Sequence, residues 1–306
     1  MWTRTAALVC LLLAPLAATS AQQPKLHSAF VTTSDRVQIH YVEAGSNLTP
    51  TLKPASFPEP SGAPRHDNPV QQPHTMLFVP GWTMPGWIWE KQITHFSQTH
   101  RVAAMDPRCQ GESSQTTDGL SPAIRARDIK AVVDQLLLAP VVLVGWSMAA
   151  GEIASYVDQF GTKEVAAIVF VDEVPAEIAP GDYKRVIAFI DRFVEDRRGN
   201  GEKLVRSFFK KPQPEDFLRR VVAALLQTPT NTAVTLLVGK FAVDLSPTLR
   251  KIDKPYFSAL ALLQQHEPGV PQRPRRIGIG RSRNWLIPHR AINRAALGRF
   301  ESRRVQ

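Results

Sequence analysis

One serine lies between small residues, an arrangement that would expose its hydroxyl as a nucleophile. Ser147 has Gly145 two positions before it and Ala149 two positions after it, and it follows the apolar run 141–144. The apolar positions from Ile153 onward have helical spacing, so the serine is predicted at a strand-to-helix turn. Small residues on both sides permit a sharp turn that lifts the hydroxyl out of the sheet edge and brings the next backbone N–H toward a substrate. The alternative is an ordinary turn with a helix-capping serine.

The elements that would position this serine alternate between apolar strands and amphipathic helices. Four apolar runs that end at turn or polar residues predict strands at 75–79, 101–105, 141–144 and 165–171. Continuous apolar strands separated by amphipathic helices are typical of a parallel sheet that is covered on both faces. An alternating segment at 37–42 predicts one arm of an opening hairpin. The fold class is therefore α/β, with ligands expected at the carboxyl ends of the strands.

Two long segments interrupt this alternation. Residues 46–74 contain seven prolines in 29 positions and few large apolar side chains, which predicts an irregular surface excursion. Residues 179–244 carry two helical stripes of apolar residues, around Phe193 and around Val221, with no strand-like run until late. This second segment is predicted to form a helical cap over the strand ends.

The net charge of +10 is concentrated in one segment. Residues 273–306 hold ten arginines, no lysine and one acid, Glu301, so this stretch carries +9 and the other 272 residues carry +1. A basic tail on a nearly neutral domain is not a basic face with interleaved aromatic residues, and a nucleic-acid partner is not expected. The arginine surplus instead favours a local frameshift or degeneration of an atypical C-terminus.

Three further segments, taken with the Ser147 turn, make residues 30–255 resemble the α/β-hydrolase superfamily. Residues 77–82 (Leu-Phe-Val-Pro-Gly-Trp) are similar to the family's oxyanion-loop segment, with proline where histidine is frequent. Residues 105–113 are similar to its D-x-R-x-x-G-x-S loop, and residues 168–172 resemble the strand that follows the nucleophile helix. The resemblance implies a mostly parallel central sheet flanked by helices, with a helical cap.

The same resemblance assigns roles to individual residues. The backbone N–H groups of Trp82 and Met148 would form the oxyanion hole, and each such donor contributes about 3 kcal/mol to lowering a barrier. Asp106 is expected to hold its loop rather than to react. Asp172, at the end of the run 165–171, matches one position of the family's catalytic acid, and Glu267 is the alternative. Trp82, Trp87 and Trp89 either line an acyl pocket or pack their loop onto the sheet.

The catalytic base is the difficult assignment. A serine hydroxyl needs a base, and in this family the chain order is serine, acid, histidine. Only His266 and His289 follow Ser147. The family places its histidine in a G-x-G-H turn, but here Gly278-Ile279-Gly280 is followed by Arg281, and Asn284 falls about where histidine belongs. Asparagine cannot accept the serine proton at neutral pH, so His289 is the predicted base by default.

The N-terminus has the pattern of a secretory signal. Arg4 supplies a positive charge, residues 6–18 are apolar apart from Pro15, and residues 19–21 are small, which predicts a signal peptide over residues 1–21. Thirteen apolar residues are too few for a stable membrane span, which needs about 20. The mature protein, residues 22–306, is therefore expected to be secreted or periplasmic, without a membrane span. Cys109 would be its one thiol and is interpreted as passive.

These features predict a serine hydrolase that cleaves a small ester or related acyl bond through a Ser147 acyl-enzyme. Asp172 is the predicted acid and His289 the predicted base. No metal-ligand spacing is found in the sequence, so the predicted mechanism uses no metal or organic cofactor. The competing interpretation is a non-catalytic or degenerate protein on the same fold that lacks the histidine. Perhydrolase or dehalogenase chemistry is a third alternative, and the serine at the turn disfavours a dehalogenase, which needs a carboxylate there.

Overall fold

The computed structural model describes residues 24–45, 74–172, 182–209, 211–259 and 279–280. The predicted signal peptide 1–21, almost all of the proline-rich segment 46–74 and all but two residues of the arginine-rich segment 273–306 lie outside the described residues. The rest of the chain shows an α/β architecture in which one sheet is flanked by helices. This confirms the predicted fold class.

The described strands form an eight-stranded sheet in the order β1-β2-β4-β3-β5-β6-β7-β8. The opening hairpin is confirmed, because β1 pairs with β2 in antiparallel register. From β4 to β7 the neighbouring strands are parallel. The strands are numbered in chain order, and the bounds of β1 to β8 are, in that order, His27–Thr32, Gln38–Ala44, Thr75–Val79, Val102–Met105, Val141–Trp146, Val165–Val171, Tyr256–Ala259 and Ile279–Gly280.

The central strands are apolar at successive positions because they are buried on both faces. Leu77 belongs to an apolar cluster on one face of the sheet, and its neighbour Phe78 belongs to a second cluster on the other face. Both side chains are at most 1% exposed. Successive side chains of a strand point to opposite faces, and full burial of a Leu or Phe side chain contributes about 1.5–3 kcal/mol. The continuous apolar runs in the sequence thus correspond to strands covered on both sides.

Three helices cover the faces of the sheet. They are α1 (Glu90–Phe96), α2 (Pro122–Gln135) and α3 (Ala149–Phe160). Helix α2 begins where the side chain of Ser121 accepts a hydrogen bond from Ile124 N and Pro122 occupies the first turn, a favoured arrangement at a helix start. Ile129 of α2 and Ile153 of α3 are fully buried in the cluster that also holds Leu77. These contacts fix α3, and with it the turn at Ser147, against the sheet.

Four further helices follow β6. They are α4 (Asp182–Glu195), α5 (Arg197–Ser207), α6 (Glu215–Gln227) and α7 (Thr230–Phe241), within the segment predicted to be a helical cap. Arg197 ties three of them together, because its guanidinium donates to the Leu225 carbonyl at 3.0 Å and to Thr230 Oγ1 at 2.8 Å. In the described part of the chain, no single helix has the length and apolar character to span a membrane; α6 and α7 qualify only as a pair, bent by 85°.

Candidate active site

Ser147 occupies a strained turn between β5 and α3. Its φ is +52°, a left-handed conformation that is uncommon for a residue other than glycine. The backbone is held there by hydrogen bonds from Ser147 N to the Val171 carbonyl and from Ala150 N to the Ser147 carbonyl, both 2.9 Å. Such strain persists only where the surrounding structure enforces it, and it clusters at functional sites. The side chain of Ser147 is half-buried.

Gly145 explains why the sequence needs a small residue before the serine. A Cβ atom at this position would lie 2.6 Å from Ile153 Cδ1 and 3.2 Å from the backbone of Ala149. A side chain at Gly145 would therefore have to displace the end of the Ile153 side chain and press against the first turn of α3. The small residues around Ser147 thus permit the sharp turn, as the sequence predicts.

The loop after β3 runs directly against the serine. A Cβ atom on Gly81 would lie 3.3 Å from Ser147 Cβ and 3.2 Å from the Trp146 carbonyl oxygen. Trp82 is the next residue after Gly81, and its side chain packs against the apolar cluster that includes Met148. The structure therefore brings both residues of the expected oxyanion hole next to Ser147. Thr83, a β-branched residue, has a φ of +60°, so the loop is itself strained at this point.

Asp172 lies at the same edge of the sheet as Ser147. Strands β5 and β6 are parallel with Trp146 opposite Val171, so Ser147 and Asp172 directly follow paired residues. Asp172 is exposed and has a φ of +58°. Its assignment as the catalytic acid stays a prediction, as do those of Trp82 and Met148. His289, His266, Glu267 and Asn284 lie outside the described residues.

Asp106, in the loop that follows β4, is buried and its carboxylate accepts several hydrogen bonds. It is 4% exposed, and its Oδ2 accepts hydrogen bonds from Glu112 N at 2.8 Å and from His40 Nδ1 at 2.9 Å, while its Oδ1 accepts from Gly86 N. His40 Nε2 in turn lies 2.9 Å from Ser28 Oγ. These contacts agree with the expectation that Asp106 holds its loop. No local sequence pattern indicates its pairing with His40, since the two residues are 66 positions apart.

Burial and the Asp106 carboxylate act in opposite directions on His40. Burial lowers the pKa of the His40 imidazole, but the hydrogen bond and the charge of Asp106, with a smaller effect of Glu112, raise it above the ordinary value of 6.5. The neighbouring carboxylates prevail, so the imidazolium form is favoured. Through its two ring nitrogens, His40 joins β1, at Ser28, to the loop that holds Asp106.

A second buried polar group, for which the sequence gives no signal, lies between α3 and the loop after β3. Glu152 in the first turn of α3 pairs with Arg125 of α2, with Oε1 and Nε 2.6 Å apart and both side chains 2% exposed. Arg125 Nη2 donates to Gln110 Oε1 at 3.1 Å, and Gln110 Nε2 donates to the carbonyls of Gly81 and Met84. Burial raises the pKa of Glu152 more than Arg125 lowers it. No short sequence motif reports such a network.

Two tryptophans near Ser147 in the structure, Trp82 and Trp146, pack against the helical segment that follows β6. Trp82 donates its indole N–H to the Ala233 carbonyl at 2.8 Å, and its ring centroid is 4.9 Å from that of Phe193. The ring of Trp146 lies edge-on to Phe208 at 5.2 Å. The residues on both sides of Ser147, Trp146 and Met148, therefore belong to apolar clusters that include these aromatic side chains.

The three tryptophans of the loop pack in two different ways, and only Trp89 packs the loop onto the sheet. Trp89 is 7% exposed and packs on Phe78 of the sheet, with ring centroids 5.2 Å apart. Trp82 and Trp87 instead pack against the helices after β6, and the guanidinium of Arg220 lies 3.8 Å above the Trp87 ring. One tryptophan thus anchors the loop to the sheet while two join it to the helical layer.

Comparison with known proteins agrees with this architecture. The non-heme chloroperoxidase of Burkholderia pyrrocinia is 34% identical over 149 residues, covering 48% of this chain and 45% of the relative. The bifunctional esterase/perhydrolase DCH of Acinetobacter calcoaceticus is 33% identical over 147 residues, with coverages of 48% and 45%. The chain thus spans about half the length of the curated relatives it matches.

Solved structures and a family model extend the similarity to most of the chain. An esterase from Exiguobacterium antarcticum and a bromoperoxidase from Bacillus anthracis each superpose with a TM-score of 0.63 at 20% identity, covering 76% of this chain and 80% of theirs. At this identity the superpositions show the fold alone. The model of the alpha/beta hydrolase family matches residues 76–295. With the strained serine turn and the sheet order described above, the chain belongs to the alpha/beta hydrolase family.

Proposed function

We propose that this protein is a serine hydrolase that cleaves a small ester or related acyl bond through an acyl-enzyme on Ser147. The observation that carries the proposal is the strained turn at Ser147, φ +52°, with the Gly81 backbone packed against its Cβ. A half-exposed hydroxyl at the end of a parallel strand, beside a loop that can supply backbone N–H groups, is the arrangement acyl transfer requires. The esterase and perhydrolase names of the relatives support the same chemistry.

In this proposal each group has a defined step. Ser147 Oγ attacks the acyl carbon while the base takes its proton, and the N–H groups of Trp82 and Met148 stabilise the oxyanion. Collapse of the tetrahedral intermediate expels the alcohol, which receives the proton from the base. Water then attacks the acyl-enzyme, and the acid product leaves with Ser147 regenerated. Asp172 orients the base, for which His289 is the candidate.

The first test is hydrolysis of p-nitrophenyl acetate and butyrate by the parent protein and its Ser147→Ala variant. Loss of the nucleophile is expected to lower kcat by about 10⁴-fold or more. Ser121→Ala is a matched control, because this serine caps α2 and its loss costs about 1 kcal/mol of stability without touching the site. Labelling by a fluorophosphonate, with the modified peptide identified by mass spectrometry, should locate the adduct on Ser147. An adduct elsewhere would overturn the assignment.

The acid and the base are tested separately. Asp172→Asn and His289→Ala should each lower kcat by at least about 10³-fold if they complete the triad. A His289→Ala variant with the parent's kcat would remove His289 from the mechanism.

The competing function is a non-catalytic protein on the same fold. It is favoured by Arg281 and Asn284 in the segment where the family places its histidine. A folded parent that neither hydrolyses these esters nor reacts with the fluorophosphonate would establish it. The coding DNA then becomes decisive, because a frameshift requires an intact shifted frame that encodes Gly-His.

Perhydrolysis is a second catalytic candidate, favoured by a relative that is named an esterase/perhydrolase. Hydrogen peroxide would replace water in the attack on the acyl-enzyme, giving a peracid and free Ser147. Hydrolysis and peracid formation should then disappear together in Ser147→Ala. Peracid formation that persists in this variant would exclude the acyl-enzyme route.

Export to the periplasm or medium is part of the proposal and rests on residues 1–21. The mature N-terminus, sequenced from protein expressed with its full leader, should begin at Ala21 or Gln22. Full-length protein retained in the cytoplasm would contradict it.

A further inference from the structure

Gln110 is a fully buried glutamine whose amide joins the loop after β3 to the helices behind it. Its side chain is 0% exposed. Nε2 donates to the Gly81 carbonyl at 3.1 Å and to the Met84 carbonyl at 2.6 Å, and Oε1 accepts from Arg125 Nη2 at 3.1 Å. The two carbonyls that it holds flank Trp82 and Thr83, the strained part of the loop.

The orientation of this amide is fixed by the chemistry of its partners. A guanidinium only donates hydrogen bonds and a carbonyl only accepts them, so the Gln110 oxygen must face Arg125 and its NH2 group must face the loop. Arg125 is itself fixed by Glu152 Oε1 at 2.6 Å and by the Arg108 carbonyl at 3.0 Å. A reversed amide would place two donors together and two acceptors together.

Holding the Gly81 carbonyl also sets the direction of an N–H group. The Gly81–Trp82 peptide is planar, so its C=O and the Trp82 N–H are fixed in opposite directions. We propose that Gln110 is a positioning residue that aims the Trp82 N–H at the oxyanion by holding the Gly81 and Met84 carbonyls. Arg125 and Glu152 couple this clamp to the first turn of α3, directly behind Ser147. The inference rests on the proposed function, because it concerns the same oxyanion hole.

Stability alone does not account for this network. A buried ion pair is often no more stabilising than apolar side chains of the same volume. Here Glu152 Oε2 is buried without a hydrogen-bond partner among the described residues, which adds to the cost of the pair. A polar network does fix geometry, since each hydrogen bond restricts direction as well as distance. The strained φ of Thr83 needs such restraint, and Gln110 bonds to the residues on both sides of the Trp82–Thr83 pair.

The test compares Gln110→Met with the parent in ester hydrolysis. Methionine has a similar length but neither donates nor accepts strongly, so the Gly81 carbonyl loses its side-chain restraint. Removal of one oxyanion-hole donor lowers kcat by about 10²–10³-fold. In Gln110→Met the Trp82 N–H is still present but points in the wrong direction, so kcat should fall by at least about 10-fold. KM should stay within about threefold, since the oxyanion contact forms only in the transition state. The affinity for a phenylboronic acid, which forms a tetrahedral adduct on serine, should fall in parallel with kcat.

Ser113→Ala is the matched control in the same loop. Its hydroxyl donates to the Asp106 carbonyl and accepts from His40 N at 2.8 Å, and neither of these hydrogen bonds involves the loop after β3. This variant should lower the melting temperature while kcat stays within about twofold of the parent. If Gln110→Met does not fold, Gln110→Glu serves instead, because it keeps the shape and replaces the donor with an acceptor. The same loss of kcat is expected.

The outcomes separate this inference from the proposed function. A reactive parent with kcat preserved in a less stable Gln110→Met variant would show a purely structural role and overturn the inference alone. A parent that is folded but unreactive at Ser147 would overturn the proposed function and this inference together. A selective loss of kcat and of boronate affinity supports both.

Discussion

Arg108 carries a buried positive charge whose main partner can be removed by a single isosteric substitution. Its side chain is 1% exposed and donates from Nε and Nη2 to the two carboxylate oxygens of Asp128, at 2.7 and 2.6 Å. Asp128 is equally buried. The third contact, from Nη1 to Asp35 at 3.0 Å, reaches the surface, since Asp35 is 50% exposed. Arg108 lies in the same loop as Asp106 and Gln110, so this pair supports the part of the fold that faces the site.

The magnitude follows from these contacts. Each charge-assisted hydrogen bond contributes about 1.5–3 kcal/mol. Asp128→Asn removes one of the two, because an amide NH2 group cannot accept from Arg108, and it takes the negative charge from the other. Part of that loss is recovered because the variant no longer buries a carboxylate, and burial is strong enough to raise the pKa of Asp128 despite Arg108. Breaking one side of a buried pair costs about 3–5 kcal/mol in net terms. This is a large share of the 5–15 kcal/mol by which domains are stable.

Urea denaturation at pH 7 provides the assay, with Asp35→Asn as the matched control. Asp128→Asn should lower the free energy of unfolding by about 3 kcal/mol or more, with an unchanged slope against urea. Asp35→Asn should lower it by less than about 1 kcal/mol, because this carboxylate is half in water. A loss below about 1 kcal/mol in Asp128→Asn would refute the view that Arg108 loses its main compensating charge in a buried environment.

Three other predictions concern single residues near the site. The neighbouring carboxylates raise the pKa of His40 above 6.5 in spite of burial, so its contribution to stability is complete below about pH 6.5 and is lost as the pH rises through the folded-state pKa. The free energy of unfolding should therefore decline with pH in this range more steeply in the parent than in His40→Gln; equal slopes would contradict the argument. Cys109 is 0% exposed and its thiol donates to the Thr116 carbonyl at 3.3 Å. A disulfide reagent should therefore react slowly with Cys109 in the native protein and quickly in denaturing urea. Similar rates in the two conditions would show that the loop opens readily. Gly145→Val places a Cβ 2.6 Å from Ile153 Cδ1. It should lower the free energy of unfolding by about 1–3 kcal/mol and slow fluorophosphonate labelling of Ser147. Unchanged labelling would show that the turn tolerates the side chain.

The sequence by itself determined the central strands and the turn at the serine. The apolar runs at 75–79 and 165–171 coincide with β3 and β6, because a strand covered on both faces needs apolar residues at successive positions. The small residues around Ser147 likewise predicted a sharp turn, since the backbone conformation there depends on residues within a few positions. Apolar runs and turn residues depend on adjacent positions in the chain, so they can be identified from the sequence.

Only the tertiary structure decided how distant polar groups combine. Gln110 meets Gly81 and Arg125, and His40 meets Asp106, although none of these pairs is close in sequence. Hydrogen bonding depends on directions and distances of a few tenths of an ångström, which arise when α2, α3 and the loops pack on the sheet. Composition and periodicity report which residues are buried, but the partner of each buried polar atom is set by the packing of the whole domain.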